Sequence, residues 1–107
     1  MKELLESVSK LADEELKRSY EKFPKFNSPH EGWAVMFEES NEHTKDCGEI
    51  DGLMQAFWEH VKSNDSEAQN KTAQLVKESA IHAAAKAIQV AAMAQKYIDS
   101  LGGENHE

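Results

Sequence analysis

One cysteine, Cys47, is all the chain has in 107 residues, so no internal disulfide can form. With no partner at the spacing of a zinc knuckle, Cys47 reads as a small apolar filler on a helix. Positive charge is also scarce. Twelve Lys and Arg stand against 20 Asp and Glu, a net charge of −8. That leaves no basic patch to neutralise the phosphates of a nucleic-acid polymer, and it disfavours anionic membrane surfaces for the same reason. No apolar stretch approaches the roughly 20 residues that span a bilayer. The N-terminal MKELLESVSK lacks the apolar core of a signal peptide, so a cytoplasmic protein is expected. A Gly-rich phosphate loop, a Ser/His/Asp or Cys/His set, an internal repeat and a low-complexity block are all absent.

What is present is helical periodicity. Apolar residues make up 39% and charged residues 30%, enough to bury a stripe on each helix but hardly a sheet covered on two faces. Leu4, Leu5, Val8, Leu11, Ala12 and Leu16 recur at helical spacing, predicting an amphipathic first helix over 2–21. Pro24 and Asn27 interrupt it. Ser28-Pro29-His30-Glu31 then opens a second helix, with Ser as N-cap, Pro at the first helical position and Glu closing a capping box. Apolar spacing by threes and fours continues to Lys62, weakened only by Gly48 and Gly52, so 29–62 reads as one long helix or two shorter ones. Ser63–Ser66 is a turn, with Ser66 and Gln69 able to form a second capping box. The last helix is expected over 66–101, stopped by Gly102-Gly103, with residues 104–107 as a disordered tail. The whole, 1–103, reads as a single all-α domain. A continuous second helix would span roughly 50 Å at about 1.5 Å per residue. A compact domain of this size has a radius of gyration of roughly 13 Å. Part of the apolar stripe would then lie bare in a monomer, and a homo-oligomeric bundle is expected to cover it.

Two stretches carry chemistry. Glu38, Glu39 and Glu42 form an EExxE pattern within one arc of roughly 100°, with Asp46 in the same arc. Carboxylates so clustered repel one another, and a divalent cation such as Mg²⁺ makes the clustering favourable; otherwise they form a solvated charge run. From Ser79 to Ala94 the only other polar residues are His82, Lys86 and Gln89, at i, i+4 and i+7, with Met93 continuing their line. A helix apolar nearly all round is expected to be buried, and a buried Lys needs carboxylates beside it. The bland alternative puts this polar stripe at the edge of the bundle, facing solvent.

The run Phe26-Asn27-Ser28-Pro29-His30-Glu31-Gly32-Trp33-Ala34-Val35-Met36-Phe37-Glu38-Glu39, with Ala87-Ile88-Gln89-Val90-Ala91-Ala92-Met93-Ala94, resembles the phage and prophage branch of the MazG-like all-α nucleoside triphosphate pyrophosphohydrolases. The resemblance covers about residues 23 to 101. It implies a helical bundle completed by homo-oligomerisation as a dimer or tetramer, and Mg²⁺ held by an EExxE motif and a later ExxD motif. It also implies release of pyrophosphate from a bound nucleoside triphosphate. By position, Glu38, Glu39 and Glu42 correspond to the first motif, as metal ligands and catalytic residues. The second falls on Lys86-Ala87-Ile88-Gln89, where Lys86 replaces the family's Glu and Gln89 its Asp. A protonated Lys cannot ligate a hard cation, so Lys86 is expected to stand in part for the metal, pairing with Glu38 or Glu42 and with a ligand phosphate.

The resulting expectation is a phage-type, nucleotide-binding protein of MazG-like fold, in the host cytoplasm if phage-encoded. It binds or sequesters a nucleotide or nucleotide-derived signal, with hydrolysis weak or lost. Lys86, Gln89, His82, Lys25, Asn27, His30 and Trp33 are its candidate ligand-binding residues. An active Mg²⁺-dependent pyrophosphohydrolase is the alternative, its missing ligand supplied by Asp46, Asp51, Glu78 or a neighbouring subunit. A helical protein-interaction module is the third reading. Trp33 and Trp58 could stack on a base, although their spacing suits packing better.

Overall fold

The computed structural model describes residues 1–102 of the chain. Among them the elements are α1 (Lys2–Lys22), α2 (Pro29–Lys62), α3 (Ser66–Tyr97) and a closing π-helical turn, Ile98–Gly102. The protein is all-α. α2 is one unbroken helix through Gly48 and Gly52, which decides between the two readings of 29–62. The last helix is α-helical only to Tyr97, short of the expected 101. Gly103 and the expected disordered tail lie outside the described residues. No helix among the described residues is long and apolar enough to cross a membrane.

The helix ends follow local chemistry. At Phe23 the backbone turns extended, as the following Pro24 requires, and its N–H donates to Ser19 O at 2.9 Å. Ser28 caps α2 by accepting from Glu31 N–H at 3.2 Å. Glu31 reaches back to Asn27 N–H at 3.1 Å, one residue earlier than a strict capping box requires. Between α2 and α3, Asn64 takes the left-handed conformation at φ 57°. Asp65 N–H donates to His60 O and Asn64 N–H to Val61 O, the paired bonds of a Schellman C-terminus. This places Asp65 as the cap of α3, and its Oδ1 accepts from Ala68 N–H at 3.1 Å. The expected Ser66–Gln69 box therefore does not form. Ser66 is already inside the helix, and Gln69 Nε2 donates instead to His60 O.

The chain forms two compact units, Met1–Ser40 with the chain from Lys86 onward, and Asn41–Ala85. In the first, the second half of α1 packs on α3, and the connector residue Phe26 is buried with its N–H bonded to Ser100 Oγ at 3.0 Å. Residues 1–11 are all exposed. The second unit is a helical hairpin with Asp46, Thr72 and Ala83 at its centre. Its polar bond is His82 Nδ1 to Asp46 Oδ2, at 2.6 Å. The expected burial of α3 on nearly every side is not met within the chain, since Ile81 and His82 are both exposed. An alanine-rich helix flanked by only two others keeps part of its circumference open.

Gly32 is buried in the first unit. A Cβ there would stand 2.5 Å from a ring carbon of Tyr97 and 3.2 Å from the Phe26 ring, whereas Gly48 has nothing within 4 Å. Gly32→Ala should therefore cost about 1–3 kcal/mol through overpacking. Gly48→Ala should gain up to about 1 kcal/mol from helix propensity. Chemical denaturation of the two variants checks the opposite signs.

Candidate functional site

The first unit encloses a cavity of about 490 Å³ between the second half of α1, the 23–27 connector, the start of α2 and the C-terminal half of α3. At its base is Lys96, only 2% exposed. Its Nζ donates to Ser19 Oγ at 2.8 Å and to Phe23 O at 3.2 Å, and lies 5.2 and 5.1 Å from the Tyr20 and Phe26 ring centroids. Burial pulls the Lys96 pKa below the ordinary lysine value, and the Glu31 carboxylate partly opposes that shift. An ammonium with two acceptors and three protons keeps one donor for a ligand.

Around it, Arg18, Lys22 and Lys25 supply three more cations and Glu15, Glu31 and Glu39 three carboxylates, with Arg18 Nε donating to Glu15 Oε2 at 3.1 Å. Four cations against three carboxylates leave the lining one charge positive in a chain of net −8. Gln89 adds an amide whose Oε1 is buried and, among the described residues, without a hydrogen-bond partner. Phe23, Phe26, Val35 and Met93 make the apolar part of the wall. A few fixed polar groups in an otherwise apolar concavity of this size are what a small-molecule site requires. A buried acceptor left open inside it is an anchor for a ligand donor.

Of the residues singled out in the sequence, Lys25, Asn27, Glu39 and Gln89 line this cavity. Lys86 does not, although its Nζ stands 3.9 Å from Glu39 Oε2, the middle carboxylate of the EExxE run. Glu38 and His30 are exposed outside the lining. Trp33, 59% exposed, stacks on Phe37 with centroids 4.7 Å apart. Glu42 and His82 belong to the second unit. There the His82 side chain is 63% exposed and held by Asp46, so Asp46 already has a partner. Cys47 lies one turn after His43, 3.7 Å from its Nε2, a neighbour for which the filler reading had no role.

Lys96 escaped the sequence reading, yet the signal was there: His82, Lys86, Gln89 and Met93 continue at helical spacing to Lys96. Arg18 and Lys22 belong to no motif and could be placed only by the fold.

Magnesium takes near-octahedral oxygen ligands at about 2.0–2.1 Å. Among the described residues no three His, Cys, Asp or Glu side chains converge to hold a metal ion. The EExxE carboxylate that reaches the cavity, Glu39, has the Lys86 ammonium beside it, a charge that opposes a cation.

Comparison with protein-family models, with curated proteins and with solved structures gives no match to this chain.

The buried ammonium sets a pH dependence with a definite sign. Because the folded state lowers the Lys96 pKa, the unfolded chain holds the proton more tightly between that lowered value and 10.5. Lys96 thus disfavours folding at lower pH, and the penalty fades as pH rises toward 10.5. Tyr20 works the other way. Burial, then Asp99, raises its pKa above 10.0, and the stability it contributes is lost as pH climbs through the raised value. In a Tyr20→Phe background, stability should rise across the Lys96 window. Adding Lys96→Met should flatten that rise in denaturant titrations at successive pH values.

Proposed function

We propose that this protein binds a nucleotide, or a signal molecule derived from one, in the cavity built on Lys96, and that binding rather than hydrolysis is its activity. One observation carries the reading: a desolvated ammonium with a spare donor sits in a net-positive cavity of about 490 Å³ in an acidic chain. A phosphate suits the cations Arg18, Lys22 and Lys25, since charge-assisted bonds from Arg and Lys are the strong ones. A base suits Phe26, Val35 and Met93, with Gln89 reading its edge by hydrogen bonds. The resemblance of 26–39 and 87–94 to the MazG-like pyrophosphohydrolases supports a nucleotide as ligand and a MazG-like bundle as fold. It also supports a phage origin and a place in the host cytoplasm. Lys86 beside Glu39 favours binding over metal-dependent cleavage.

Self-association belongs to the same reading. Leu4, Leu5, Val8 and Leu11 on α1, Trp33 and Phe37 at the start of α2, and Met54 and Trp58 near its end are all exposed large apolar side chains. Chains of this length seldom leave so much apolar surface in water, and further copies would cover it. The protein is thus read as a homo-oligomer.

A nucleotide screen tests the function, following thermal stability and pyrophosphate release with Mg²⁺ and with chelator. A ligand at 100 times its Kd stabilises the folded state by about 2.7 kcal/mol. The expected outcome is stabilisation that survives chelation, releases no pyrophosphate, weakens in Lys25→Ala and disappears in Lys96→Met. Pyrophosphate release that needs Mg²⁺ and stops in Glu39→Gln would establish the hydrolase instead. A flat response to every nucleotide would remove both.

A further inference from the structure

The hairpin of the second unit has one polar flank and one apolar flank. Asp46 bonded to His82 and His60 bonded to Gln69 fix which residues of α2 and α3 stand level. At about 100° per residue, Asp46, Ile50, Leu53 and Phe57 point between the helices. Met54, Trp58 and Cys47 then turn about a quarter circle to one side. On α3, Thr72, Val76 and Ala83 point inward, and Ala73, Ala80 and Ala84 turn by a similar angle to the same side of the hairpin. That side is open: Met54 is 51% exposed and Trp58 58%, and the three alanines are exposed. The opposite flank carries Glu49, Lys71 and Glu78 around a single exposed apolar side chain, Leu75, and is mostly charged.

We propose that this apolar flank is the contact surface for a second copy of the chain, the two hairpins closing as a four-helix bundle. The proposal rests on the homo-oligomer reading above and names its face. Three features select a second copy as the occupant. The first is self-complementarity: large side chains project from α2 and an alanine row lies on α3 of the same face. A two-fold axis along the bundle sets α2 of each copy against α3 of the other, and an isologous contact requires such a match. The second is register. Met54 and Trp58 stand at levels on either side of Ala73, and Cys47 is nearly level with Ala80, so the knobs meet the small residues. The third is charge. Asp51 on the α2 rim and Lys77 on the α3 rim are level, opposite in sign and unpaired among the described residues, so each meets its counterpart across the axis. The apolar arc of α2, from Leu53 to Trp58, covers about 140° and so serves two neighbours, as helices in four-helix bundles do.

Sedimentation of the full chain tests it. Wild type should be a dimer or a multiple of one at micromolar concentration. Ala80→Glu, which adds a charge to the face and removes no contact inside the chain, should raise the dimer Kd at least about 100-fold, equivalent to roughly 2.7 kcal/mol, with helicity by circular dichroism unchanged. Asp51→Lys and Lys77→Asp should each weaken the dimer several-fold, and together restore it. An Ala80→Glu protein that sediments like wild type overturns the face and leaves the oligomer reading standing. A monomeric wild type overturns both. Neither result bears on nucleotide binding, which the thermal screen reads separately.

Discussion

An ammonium taken out of water must be met by acceptors, and Lys96 meets two at the C-terminal end of α1, the Ser19 hydroxyl and the Phe23 carbonyl. Helix C-termini leave carbonyls unpaired and carry partial negative charge, which satisfies the cation and offsets part of the cost of burying it. One turn further along, Ser100 Oγ accepts from the Phe26 N–H. The end of α3 thereby fixes both the last turn of α1 and the connector that follows it. The cavity is a consequence: its walls are the elements that these bonds hold, and Lys96 is both fastening and floor.

The interior of the chain is unusual in its balance. Among the described residues, the buried hydrophobic side chains are Phe26, Ala83 and Ala92, while Asp46, Thr72, Lys96 and Ser100 are buried and polar. Each of the two units has a hydrogen bond between distant residues at its centre, Lys96 to Ser19 in one and His82 to Asp46 in the other. Such bonds add little net stability but make alternative registers costly, because a slip by one residue leaves a buried group unpaired. Alanine-rich helices pack closely yet offer few large side chains to one another. Register is therefore held here more by polar bonds than by interlocking apolar side chains.

Most of the helical framework was legible because helix ends are local events. Ser28, Pro29 and Glu31 announce α2 within four residues, and Asn64 near the turn suits the left-handed conformation it adopts. The shift of the α3 cap from Ser66 to Asp65 shows where that legibility stops. Both residue types cap well, and the choice was made by the bonding of the preceding helix end. The site divides in the same way. Glu39 and Gln89 came from motifs, and Lys25 and Asn27 from the connector, all short-range patterns. Lys96 required extending the α3 stripe one more turn, and Arg18 and Lys22 required knowing which face of α1 meets α3. Pairings such as Lys86 with Glu39 depend on how two helices are set against each other, which periodicity within one helix does not specify.

The opening turns of α1 have a physical consequence of their own. Residues 1–11 are all exposed, while Ser19 and Tyr20, just over two turns further, are tied to Met93 of α3 and to Asp99 in the turn that follows it. A segment of about ten residues so exposed is marginal as a helix in water. Protection of its amide hydrogens from exchange should therefore decay from Tyr20 back toward Met1 in the free chain. Any body that docks along Leu4, Val8 and Leu11 would abolish that gradient, making this one helix a built-in gauge of occupancy.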